Sequence, residues 1–147
     1  MTSMKNLWPE VFTESEKASA KNIIEEQAKL LSKITKGVVF ADVEQMDFIE
    51  AATNSMENEF AFEFYIRGKF LEGYRFKVLS FSHDITLYPV KFRVDDLIAK
   101  EIGIKSKSYN GYFCEVADQN DLERFLAKVL TSERMKNVIG SILKLSK

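Results

Sequence analysis

The chain has 147 residues, 46% hydrophobic and 29% charged, with a formal net charge of −1. That is ordinary globular usage for one domain spanning 1–147, and it excludes a disordered chain. It also excludes a general electrostatic field for nucleic acid or an anionic membrane, so such a partner would need a local patch.

The first segment, MTSMKNLWPEVF, has no apolar run of signal-peptide length. It reads instead as an arm over 1–12, carrying Leu7, Trp8, Val11 and Phe12 and the only tryptophan. From about Ser15 to Lys36, Ala20, Ile23, Ile24, Gln27, Leu31 and Ile34 recur at three- and four-residue spacing and predict an amphipathic helix. Thr13 and Glu16 have capping-box spacing at its start, and Gly37 is the expected left-handed cap at its end. Val38 to Val43 is strand-like, and Asp47 to Asn58 is ambiguous, with a turn expected at Asn54 and Asn58. Glu59 to Arg67 alternates strictly, with Phe60, Phe62, Phe64 and Ile66 on one face.

Gly68 to Gly73 predicts a turn. The next strand carries Tyr74, Phe76 and Val78 inward and Arg75 and Lys77 outward, and Ser82-His83-Asp84 reads as a tight reversal. Ile85 and Leu87 share one parity while Val90, Phe92 and Val94 share the other, so the slip at Tyr88-Pro89 predicts a bulge or an edge strand. Asp95 to Ile102 predicts a short helix ending at Gly103, and a polar loop from Lys105 to Asn110 leads to a strand over Tyr112 to Val116. Two helices close the chain. Leu122, Phe125, Leu126 and Val129 form the apolar face of the first, and Met135, Val138, Ile139 and Ile142 that of the second.

This order predicts an α+β fold, a mainly antiparallel sheet of about five strands with the N-terminal helix and the C-terminal helices packed on one face. The stretches IIEEQAKLLSKITKGVVFADV and YRFKVLSFSHDITLYPVKF resemble a group of small uncharacterised bacterial proteins. In that group a Glu-Gln-Ala helix precedes a Thr-x-Gly turn and a later hairpin carries an aromatic-proline-valine step. The resemblance implies a bacterial or phage cytosolic source and brings no activity with it. The single cysteine, Cys114, and the lack of any stretch of roughly 18–20 apolar residues also make a cytoplasmic location the expectation.

Chemistry-bearing residues are few. One His and one Cys exclude a structural zinc site, while Asp95-Asp96 and Asp118 to Asp121 lie where helix caps want acids, so no metal or other cofactor is expected. The six glycines make no phosphate loop. His83 beside Asp84 is the one candidate general base, at the tip of a hairpin, and Cys114 is expected to be a buried inert thiol.

Counting parity puts Tyr65, Arg67, Arg75, Lys77, Lys91 and Arg93 together on the face opposite the phenylalanines, with Glu63 diluting their charge. The leading expectation is a non-catalytic binding or regulatory protein, using these residues or Trp8 against another protein or a second copy of the chain. The alternatives are nucleic-acid or anionic-ligand binding on the basic face, and an enzyme of unknown reaction using His83. No membrane partner is expected.

Overall fold

Among the described residues, six strands hydrogen-bond into one sheet in the order β1 (Val39–Gln45), β2 (Phe60–Gly68), β3 (Arg75–His83), β4 (Val90–Val94), β6 (Gly111–Val116), β5 (Lys107–Ser108), with every neighbouring pair antiparallel. The computed structural model describes residues 4–53, 56, 58 and 60–147. Helix α1 (Ala20–Ile34) leads into β1 (Val39–Gln45), a short helix α2 (Phe48–Thr53), β2 (Phe60–Gly68), β3 (Arg75–His83) and β4 (Val90–Val94). Helix α3 (Asp96–Ile102), β5 (Lys107–Ser108), β6 (Gly111–Val116), α4 (Gln119–Leu130) and α5 (Glu133–Leu145) complete the α+β fold.

One face of the sheet carries the phenylalanine core. Phe62, Phe64, Phe81 and Phe92 are buried there with Ala20 and Ile24 of α1, Ile98 of α3, Leu122 of α4 and Met135 of α5, so those four helices cover the same face. The rings are coupled across the strands: Phe62 and Phe81 are 5.1 Å apart, Phe81 and Phe92 5.8 Å, and Phe92 and Phe125 of α4 4.5 Å. A smaller cluster of Met46, Ala51, Met56 and Ala61 joins α2 to the opposite face, because Ala61 alternates with Phe60 and Phe62.

The sixth strand is β5, two residues inside the expected polar loop and too short to show alternation. Helix α1 starts later than its spacing predicts. Ser19 accepts the Asn22 N–H and is the cap, so the Thr13–Glu16 box goes unused. At the other end Gly37 has the expected positive φ of 80°. The ambiguous stretch contains α2. Asn54 and Glu59, to which a turn and a strand end were assigned, lie outside the described residues.

The largest departure is in β3. Its pairing with β2 shifts between Phe64 and Tyr65, where Tyr65 faces Lys77 but Phe64 faces Leu79, so Val78 is an extra residue. Phe76 and Val78 are followed inward by Leu79 and Phe81, and the outward set becomes Arg75, Lys77, Ser80 and Ser82. The strand runs on to His83, so Ser82-His83-Asp84 is no reversal. The chain turns over 84–89 instead, where Leu87 N donates to the Asp84 carbonyl at 3.0 Å. The parity slip at Tyr88-Pro89 is that turn, and β4 lies inside the sheet between β3 and β6, with neither a bulge at Pro89 nor a free edge.

Candidate functional site

Tyr65, Arg67, Arg75, Lys77, Lys91 and Arg93 all lie on the sheet face opposite the phenylalanine core, as their registers require. Among the described residues the same face carries four acids: Asp42 and Glu44 on β1, Glu63 on β2 and Glu115 on β6. They pair with the cations. Arg67 meets Asp42 and, at 3.0 Å, Glu44; Arg75 lies 3.3 Å from Glu44; Lys77 lies 3.8 Å from Glu63. Arg75 also sits 4.2 Å from the centre of the Tyr65 ring, whose hydroxyl donates to Glu63.

The face is therefore a charge-alternating network and not a basic surface, which removes most of the field a phosphate backbone would follow. Its middle is also drier than an open sheet face. Glu63 and Tyr65 are each 7% exposed, Ser80 1% and Ser82 0%. Asn58 donates to the Ser82 hydroxyl at 2.9 Å, so the chain beyond α2 caps this end. Trp8 is on no part of this face and lies in the arm.

Two of the five cations have no acidic partner among the described residues. Lys91 extends over the Phe113 ring at 6.0 Å. Among the described residues Arg93 has no hydrogen-bond or ion-pair partner, and its Nε is buried; burial pushes the guanidinium below its ordinary pKa. Directly across the ladder from Arg93 is Ser80, whose hydroxyl is also buried and unpartnered. A cleft of about 330 Å³ opens at Arg93 but not at Ser80, lined by Lys77, Arg93, Asp95, Asp96 and Asn110 among others. Asp95 is committed, accepting the Ile98 N–H at 3.1 Å and lying 3.7 Å from Arg134. Sequence reasoning missed Ser80 and Asp96, since the bulge reverses the parity of the first and a helix-start aspartate hides the second.

His83 is not at a hairpin tip. It is 5% exposed at the end of β3, stacked on Phe60 at 5.5 Å, with Nδ1 2.7 Å from the Asp84 carbonyl, to which that nitrogen donates. Cys114 faces the core side, opposite Phe92, and burial pushes its thiol up to about 11. Strand β4 separates the strands that carry these two residues, so no imidazole activates the thiol. Among the described residues no group of three or more His, Cys, Asp or Glu is placed to hold a metal ion, and none of the described helices is long and apolar enough to cross a membrane.

The arm groups several exposed large apolar side chains within a few residues. Leu7 is 85% exposed, Trp8 74%, Val11 73% and Phe12 70%. Trp8 and Phe12 touch edge to face at 5.9 Å. The base of the arm is fixed: Tyr88 Oη donates to the Ala18 carbonyl at 2.8 Å, and Ala18 N donates to the Gln119 side chain at 3.4 Å. Burial, with smaller contributions from Glu123 and Asp118, raises the Tyr88 pKa, keeping that hydroxyl protonated as a donor.

No protein-family model, curated protein or solved structure matches this chain. Its function has to be argued from the geometry above. A second hollow of about 650 Å³ lies between α2 and the start of β2, lined by Met46, Phe48, Ala51 and Ala61 among others, but among the described residues it brings no charged pair and no nucleophile together.

Proposed function

We propose that this protein is a non-catalytic binding protein that holds another protein through its N-terminal arm. The observation that carries this reading is the set of four large apolar side chains, Leu7, Trp8, Val11 and Phe12, held in water on a base that is itself anchored. Keeping such a set exposed is unfavourable, and the exposure is relieved when the side chains enter an apolar groove. A tryptophan packed beside a phenylalanine is the kind of anchor that dominates binding energy.

The arm's charges narrow the partner. Within 1–12 one lysine, Lys5, is balanced by one acid, Glu10, so the arm offers no basic charge excess for an anionic membrane or a phosphate backbone, and its apolar side chains suit a groove on a protein. Lys91 and Arg93 remain available on the sheet face for a second contact.

Trp8 is the only tryptophan, so its fluorescence reports on the arm alone. A partner captured from host lysate, then purified, is expected to shift Trp8 emission to the blue on binding. Trp8→Ala is expected to weaken that complex by about thirtyfold or more, the size of an anchor residue's contribution. A double change, Lys91→Glu with Arg93→Glu, tests the sheet face without disrupting the ion pairs of Arg75 and Lys77. A partner that binds Trp8→Ala at full strength and leaves the emission unmoved would overturn the arm assignment.

A further inference from the structure

The cleft beside Arg93 has uncommitted groups of opposite charge on its two sides. On one side is the Arg93 guanidinium, which has no acidic partner among the described residues. On the other is Asp96, which forms no hydrogen bond or ion pair among the described residues. The two sides are close. A Cβ placed on Gly111 would lie 3.5 Å from Asp96 Oδ1 and 3.9 Å from Arg93 Cδ, yet no ion pair joins the charges.

A guanidinium that lines a cleft without an acidic partner is the side chain best shaped to receive a carboxylate. Asp95 and Asp96 would repel a dianion, which disfavours phosphate, and a volume of about 330 Å³ suits a small metabolite. We propose that this cleft binds a small zwitterion of the α-amino-acid class, its carboxylate on the Arg93 guanidinium and its ammonium group on Asp96. The site is separate from the arm, and the reading of the arm does not depend on it.

The test follows the Arg93 Nε–H resonance of the ¹⁵N-labelled full-length protein during titration with glycine, L-alanine and L-glutamine. Acetate, methylamine and inorganic phosphate serve as probes that each lack one half of the zwitterion. At least one amino acid is expected to shift the resonance saturably, with each of the three partial probes about tenfold weaker or worse. Asp96→Asn alters an exposed residue without partners, so it keeps the fold while weakening amino-acid binding about tenfold. Arg93→Lys is expected to do the same or more, since a lysine lacks the planar fork.

The proposal is overturned if no amino acid gives a saturable shift, or if Asp96→Asn leaves binding unchanged. Equal binding of acetate or phosphate also overturns it, because the site would then be a simple oxyanion site. No outcome here depends on a protein partner, so failure of this site and failure of the arm are separately visible.

Discussion

Phe92→Ala is expected to lower the free energy of unfolding by about 3–5 kcal/mol, read as a fall in the urea midpoint with an unchanged slope. Phe92 has no exposed surface and lies between Phe81 on the neighbouring strand and Phe125 of α4. It thus joins the sheet to the helical layer, and its removal loses transfer energy and opens a cavity that two rings bound. Domains of this size are held by only about 5–15 kcal/mol, so the loss is a large share of the total. Phe113, one residue from Cys114 on the opposite face and half-buried, is the control. Phe113→Ala is expected to cost well under half as much. Equal costs would show that the core does not lie on the side assigned to it.

The thiol of Cys114 is expected to react with an alkylating reagent at pH 8 about a hundredfold more slowly in the folded protein than in the denatured chain. The nucleophile is the thiolate, and burial raises the pKa from the ordinary 9.0 to about 11, leaving about a hundredth of the usual thiolate. The same shift makes stability depend on pH. Between pH 9 and 11 the unfolded chain has lost the thiol proton while the folded chain retains it, so stability falls as pH rises through that window and is fully present below it. Lysines and tyrosines titrate in the same range, so the measurement is a difference. The wild type is expected to lose more stability between pH 9 and 11 than Cys114→Ala, and parallel curves would show that the thiol is not buried as described.

Elements with sustained periodicity were legible in the sequence. The alternation from Phe60 to Ile66 and the heptad-like spacing of Leu122, Leu126 and Val129 each declare a face over several residues, and both faces meet in the core. Helix α2 and β5 were not legible, because six and two residues are too few to show a period. Strand β3 was legible only to Val78, since a bulge is a property of a pair of strands and leaves no mark on one.

The same distinction governs the candidate site. The grouping of Tyr65, Arg75, Lys77 and Arg93 on one face follows from parity within each strand. Their neutralisation does not, because Asp42 and Glu44 reach Arg67 and Arg75 through the order of strands in the sheet. His83 was misplaced for a related reason. A Ser-His-Asp triplet has turn-like composition, but the ladder with β2 continues to the Phe60–His83 pair and encloses the imidazole.

The extra residue in β3 bears on how this chain can vary in length. Removing one residue from a regular strand exchanges its two faces and sends the core outward. At Val78 the exchange has already been made, so deleting it leaves Lys77 outside and Leu79 and Phe81 inside on an uninterrupted ladder. The cost is one buried valine side chain, about 1.5–3 kcal/mol, and not the inversion of a strand. Among descendants of this sequence, β3 would shorten at Val78 or its inward-facing neighbour Leu79 rather than elsewhere along its length.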